Sequence, residues 1–326
     1  MNSPNPHSIA TRVAALLDGR AVESIEPIQQ LWSGYGAIYR ISMKDHPGPV
    51  VVKSVTPPKH TDHPRGWNTD LSHQRKLRSY DVERAWYLDY APRCTGSTRV
   101  PSLLAEATNE EEWLFVFEDL DHAGFPERRH DASPSEIRAC LSWLASFHAT
   151  FLGQAPDRLW PIGTYWHLNT RPEELDAMAD QRLREAAPLI DARLNACSYQ
   201  TLVHGDAKLA NFCFPPDGGP VAAVDFQYVG GGCGMKDVAY FLSSCVAPDE
   251  LEHEAQQYVD GYFDALRTSA APQLSREKLD DLEAQWRALY VFAWADFYRF
   301  LAGWAPHHWK IDRYSHRLTL EALANL

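Results

Sequence analysis

Long apolar runs are missing from this chain: none approaches the roughly 20 residues that a membrane-crossing helix needs. The polar start Met1-Asn2-Ser3-Pro4-Asn5-Pro6 lacks both the basic and the apolar region of a secretory signal. The expectation is a cytoplasmic protein without stable membrane insertion. Cysteine is sparse and scattered, at Cys94, Cys140, Cys197, Cys213, Cys233 and Cys245, with no C-x-x-C pair. This argues against a disulfide frame or a zinc finger and for free thiols in a reducing compartment. Basic excess is absent too. Residues 1–118 hold 14 acids against 13 bases and residues 119–326 hold 29 against 18, so nearly all of the net charge of −12 lies in the second part. Such a surface repels polyanions and disfavours nucleic acid. It either favours a cationic acceptor or simply keeps the protein soluble. No internal repeat, low-complexity tract or lysine-serine Walker loop is present, which disfavours a P-loop NTPase. Nothing calls for an obligate protein partner.

What is present centres on Leu202-Val203-His204-Gly205-Asp206-Ala207-Lys208-Leu209-Ala210-Asn211-Phe212, followed by Val221-Ala222-Ala223-Val224-Asp225-Phe226-Gln227. Two short apolar runs read as strands, each delivering an acid to a loop. Asp206 and Asn211 lie five residues apart, close enough for one tight loop to aim both inward. Phosphoryl transfer to a hydroxyl asks for this set: one carboxylate to orient the attacking oxygen, and an amide and a second carboxylate to hold Mg²⁺. Lys208 stands where its ammonium can reach a transferred γ-phosphate, although a solvated loop lysine would look the same.

This region resembles the catalytic and metal loops of the kinase-like small-molecule phosphotransferases, a group that includes aminoglycoside phosphotransferases, choline kinases and ecdysteroid-kinase-like proteins. The resemblance implies a protein-kinase-like bilobal α+β fold, with a small β-rich nucleotide-clamping lobe over 1–118 and a larger, mainly helical catalytic and acceptor-binding lobe over 119–326. Protein kinases share the H-x-D-x-K-x-x-N spacing but usually have arginine where Gly205 stands. Only 11 residues separate Asp225 from Asp237, short for presenting a peptide, so a small acceptor fits better.

In the first lobe a helix is expected over 8–18, then strand, turn and strand across 28–41. Gly34 and Gly36 let backbone amides approach a phosphate, or serve a hairpin turn equally well. Lys53, within Val50-Val51-Val52-Lys53-Ser54-Val55, takes the place of the lysine that pairs with the α- and β-phosphates and with a helix glutamate. Its expected partner in a helix over 71–90 is Glu83, with Asp81 the fallback. The Pro- and His-rich stretch 56–70 is long for a connection and reads as a mobile or substrate-facing insertion. The run ending at Glu118 is expected to enter the hinge, Glu118 to Asp121, where backbone groups near Glu118 and Leu120 hold adenine.

In the second lobe Ser133-Pro134-Ser135-Glu136 reads as a capping box opening a helix to about Phe151. His148 on that helix reads as a hydrogen-bonded core residue. Residues 172–197 read as another helix, or as two broken at Pro188. The segment 230–234 reads as flexible and beside the acceptor, and the resemblance implies a structural role for Asp237, as N-cap of the next helix and support for the loop of Asp206. Trp286, Tyr290, Trp294, Phe297 and Leu301 fall at helical spacing and suit a core, while Asp296, Trp304 and Trp309 offer a carboxylate and aromatic faces for an ammonium group. The expected function is ATP- and Mg-dependent transfer to a hydroxyl of a small molecule, an amine-bearing or amphipathic alcohol among the candidates. A nucleotide-binding pseudokinase or regulatory module is the alternative, and a protein kinase comes third.

Overall fold

The computed structural model describes residues 6–31, 34–57, 70–109 and 112–326. The chain forms two compact units, Met1–Pro92 with Val100–Glu127, and Arg93–Arg99 with Arg128–Leu326. The segment from 119 to Glu127 therefore goes with the first unit, and Arg93–Arg99 with the second. Most of the expected insertion, 58–69, lies outside the described residues. The fold is α+β, with the sheet in the first unit and most helices in the second.

The first unit is built on an antiparallel sheet of β1 (Val22–Gln30), β2 (Gly36–Met43), β3 (Val50–Val55), β4 (Leu103–Thr108) and β5 (Trp113–Glu118), in the order β1-β2-β3-β5-β4. Side chains alternate between its faces. One set, Ala37, Tyr39, Ile41, Met43, Val50, Val52, Leu114 and Val116, packs with Ile9 and Val13 of α1 (Pro6–Leu16), which lie one helical turn apart. Each such fully buried aliphatic side chain stabilises by about 1.5–3 kcal/mol relative to exposure. Shifting one residue along β3 puts Lys53 on the opposite face, where it sits between Ile38 and Phe115 in the ladders.

That second face meets α2 (Asp70–Ala85). The helix expected over 71–90 is α-helical only to Ala85; a π-turn, Trp86–Tyr90, completes it. The wider turn buries Trp86, Tyr87 and Tyr90 together, with Tyr87 and Phe117 4.6 Å apart between ring centroids.

The second unit contains α3 (Pro134–Thr150), α4 (Pro172–Ala177), α5 (Gln181–Asn195), α6 (Met235–Cys245), α7 (Pro248–Ala270), α8 (Arg276–Trp304) and α9 (Arg313–Ala324). Two small ladders join them: β6 (Thr201–Val203) pairs with β9 (Gly230–Gly232), and β7 (Phe212–Cys213) with β8 (Ala222–Ala223). The Ser133–Glu136 capping box opens α3. Trp143 on α3 stacks on Phe147 at 5.0 Å, meets Phe212 edge-on at 5.7 Å and donates its indole N–H to the Arg99 carbonyl. Truncating a tryptophan this enclosed costs about 3–5 kcal/mol. Trp286, Trp294, Phe297 and Leu301 are buried as the helical spacing suggested, and Tyr290 is half-buried.

Two expectations are corrected here. The break in the 172–197 helix lies at 178–180, where the Asp180 carboxylate accepts from the Leu183 amide and starts α5; Pro188 sits inside that helix. The glycine run 230–232 is a buried strand in register with Thr201–Val203, held by a backbone ladder, and is not a loose segment.

Candidate active site

The strand β6 hands the chain to a loop, His204 to Asn211, whose shape is fixed at several points. Gly205 has φ +78°, and a Cβ there would lie 2.1 Å from the Tyr228 carbonyl oxygen. Glycine at this position is a steric requirement. The Asp206 amide donates to His204 Nδ1, so His204 carries its ring hydrogen on Nε2 and donates it to the Val224 carbonyl at 3.0 Å.

Below the loop runs α6. The Asp237 carboxylate accepts the His204 amide at 2.6 Å and the Gly205 amide at 2.9 Å, and it also meets His148 Nε2 at 3.1 Å. His148 Nδ1 in turn meets the Tyr262 hydroxyl at 2.7 Å, and the whole chain of contacts is buried. His148 is thus a hydrogen-bonded core residue. Asp237 does not cap its helix, because α6 begins at Met235, but its carboxylate supports the loop amides as expected. One and two turns further along the same face, Tyr240 bonds to Asp206 and the Ser244 hydroxyl accepts the Leu209 amide at 2.9 Å.

Asp206 itself is nearly buried, and its carboxylate takes three side-chain donors. Oδ1 accepts the Tyr240 hydroxyl at 3.0 Å; Oδ2 accepts Lys208 Nζ at 2.8 Å and Asn211 Nδ2 at 3.2 Å. Partial burial works against the Lys208 charge, but the carboxylates of Asp206 and Asp225 outweigh it and hold the ammonium above its ordinary pKa. Burial first, then the negative charge of Asp206, pushes the Tyr240 phenol well above its ordinary value, so the hydroxyl stays a donor.

Asn211 donates to the Asp206 carbonyl at 2.8 Å as well as to its carboxylate, and its Oδ1 takes no hydrogen bond among the described residues. The Val224 amide donates to the Asn211 carbonyl at 3.0 Å, and β7 pairs with β8 beside it, so Asn211 and Asp225 emerge from adjoining ends of one small hairpin. Asp225 adopts φ +69°, a left-handed conformation that aspartate tolerates better than most residues. Two hard oxygen donors so placed fit Mg²⁺, which takes one or two protein oxygens and completes its shell from phosphates and water. No group of three or more His, Cys, Asp and Glu is gathered as a metal cage among the described residues.

In the first unit, Lys53 Nζ lies 2.8 and 2.7 Å from the two Glu83 oxygens, and both side chains are buried. The fallback, Asp81, instead accepts the Trp113 indole N–H. Gly36 begins β2 with φ +139°, and a Cβ there would sit 2.0 Å from the Ser54 oxygen; Gly34 stands in open space. Glu118 accepts the Ser102 amide, and Leu120 is buried with an amide that donates no hydrogen bond among the described residues. Sequence reasoning missed what holds this segment: Arg40 on β2 binds Asp119 at 2.5 Å and Asp121 as well.

Asp296, offered as a carboxylate for an ammonium group, lies in the interior. It is fully buried, and its oxygens are taken by Arg299 at 2.7 Å and the Trp166 indole at 2.9 Å, with Lys236 Nζ 3.8 Å away. Burial alone would raise its pKa, but Arg299 and Lys236 bring it below the usual aspartate value. This carboxylate braces the interior. Trp304 stacks on Phe300 at 5.6 Å, whereas Trp309 is 61% exposed. Tyr240 and Lys310 were also missed, since a tyrosine inside an apolar helix and a lysine in a connecting loop carry no motif.

A model of the phosphotransferase enzyme family matches residues 28–273. The chain belongs to this family. No curated protein matches it. Among solved structures, Plasmodium vivax ethanolamine kinase is similar at 11% identity, over 93% of this chain and 82% of that one, with a TM-score of 0.52. A microcompartment-associated aminopropanol kinase aligns at 14% identity over 96% and 94% of the two chains (TM-score 0.47). An aminoglycoside phosphotransferase from Streptomyces rimosus, solved with ADP and streptomycin, aligns at 15% over 87% and 98% (TM-score 0.48). At such identities the likeness to the ethanolamine kinase speaks for the fold alone. No helix among the described residues is long and apolar enough to cross a membrane.

Proposed function

We propose that this phosphotransferase moves the γ-phosphate of ATP to a hydroxyl of a small molecule. The observation that carries the reading is the Asp206 carboxylate, fixed by Lys208, Asn211 and Tyr240 on a loop joined through Asn211 and Val224 to the Asp225 hairpin. Asp206 orients the acceptor hydroxyl and takes its proton as the new O–P bond forms and the bond from the γ-phosphorus to the bridging oxygen breaks, ADP leaving. Asn211 Oδ1 and the Asp225 carboxylate would hold Mg²⁺, which would supply positive charge against that of the nucleotide's phosphates. Lys208 faces the transferred group. In the first unit Lys53, oriented by Glu83, binds the α- and β-phosphates; Gly34 and Gly36 allow backbone to approach them, and the backbone at Glu118 and Leu120 receives the adenine. The cytoplasm is the expected site of action.

The test is acceptor-dependent ADP release from MgATP across a panel of hydroxyl compounds. Asp206→Asn is expected to lower turnover by about 10²–10⁴-fold, the range for loss of a general base, with MgATP binding retained. Asp225→Asn is expected to weaken nucleotide binding in magnesium. Unchanged turnover in both variants refutes the assignment.

A further inference from the structure

The loop between α8 and α9 presents Lys310 on a fixed backbone: its amide donates to His308 Nδ1 at 3.2 Å, and its carbonyl accepts the Ser315 hydroxyl at 2.9 Å. The ammonium lies 4.7 Å from the centre of the Tyr240 ring and 5.4 Å from each of Phe297 and Trp309. Tyr240 is the residue whose hydroxyl binds Asp206. An aromatic box beside the proposed catalytic carboxylate is thus occupied by a cation of the chain's own. Ring faces attract a cation but accept none of its three N–H bonds as an oxygen would. Among the described residues Lys310 Nζ makes no hydrogen bond or ion pair. Burial lowers its pKa to about 8, opposed by Asp206 and reinforced by Lys208, so the charge is largely kept at neutral pH.

A cation held this way lacks an oxygen partner, and a ligand can bring one. An ammonium on the acceptor would compete for the same ring faces and be repelled by the one already there.

We propose that Lys310 selects the acceptor: its ammonium binds an oxyanion, carboxylate or phosphate, on the alcohol whose hydroxyl faces Asp206, and it excludes alcohols carrying an ammonium at that position. The proposal rests on the phosphotransfer reading above and sharpens it.

Calorimetric titration of the full chain with D-glycerate, glycerol 3-phosphate, ethanolamine and choline tests it, with MgATP titrated separately. At least one anionic alcohol is expected to bind; which one distinguishes carboxylate from phosphate. Lys310→Met should weaken that binding about 10- to 100-fold, the range for one charge-assisted hydrogen bond, and Lys310→Arg should restore most of it. Lys310→Glu should bind ethanolamine more tightly than the parent chain does. Failure of both anions to bind, equal affinity in Lys310→Met, or tighter binding of ethanolamine or choline than of either anion overturns the proposal. Loss of MgATP binding alone would instead sink the phosphotransfer reading and leave the anion titrations interpretable.

Discussion

Tyr240 donates its hydroxyl hydrogen to Oδ1 of Asp206 across 3.0 Å, from a helix that also holds the backbone of the same loop. The bond restricts the carboxylate plane while Lys208 and Asn211 engage the other oxygen. Tyr240→Phe removes one hydroxyl and keeps the ring. We expect kcat to fall about tenfold, equivalent to one hydrogen bond of roughly 1–1.5 kcal/mol, with the thermal midpoint within a few degrees of the parent. An unaltered kcat would show that the carboxylate needs no help from this side.

Asp237 is the anchor beneath the loop. Asp237→Asn leaves a carbonyl oxygen and an amide group where two backbone N–H groups and His148 Nε2 point, so at least one buried donor loses its acceptor. Stability should fall by about 1–3 kcal/mol in denaturant titration, the penalty for an unsatisfied buried group. A variant as stable as the parent would contradict the anchoring role.

Lys53 and Glu83 form a buried pair, and breaking one side strands the other. Glu83→Gln is expected to destabilise the first unit by about 3–5 kcal/mol at most and to raise the KM for MgATP more than that for the acceptor. Equal changes in both constants would remove the case for a nucleotide-specific lysine.

Acid should weaken the start of α3. The Arg129 guanidinium, then the Ser133 amide, hold Glu136 down at about 2 against an ordinary 4.5. A depressed carboxyl pKa means that the folded state releases this proton more readily than the unfolded chain. The stabilisation is therefore complete above pH 4.5 and is lost as pH falls from there toward 2. Glu136→Gln should flatten that part of the stability–pH curve in urea titrations, and an unchanged slope counts against the assignment.

Much of this was legible from the sequence because local spacing and local geometry coincide. Asp206, Lys208 and Asn211 share one loop, so two or five residues of separation translate directly into contact. Lys53 was readable from its strand after the glycine hairpin, and Glu83 from the resemblance of its segment, a glutamate just ahead of paired aromatics. What stayed hidden depends on distant partners. Arg299 stands one helical turn from Asp296, so that pair was within reach of local spacing, but nothing near Asp296 announces Trp166, 130 residues away, as the group that closes it in. Arg40 gives no sign that it will meet Asp119 and Asp121 from another strand. The three glycines at 230–232 suggested mobility because glycine permits it, yet the ladder with Thr201–Val203 sets the outcome.

Because Asp237, Tyr240 and Ser244 meet the His204–Asn211 loop from successive turns of α6, the count of residues between them is itself under constraint. Inserting or deleting a single residue there would swing the later contacts by about 100° around the axis and carry them off the loop. Family members that vary freely elsewhere should therefore keep the length of this interval even where the side chains change.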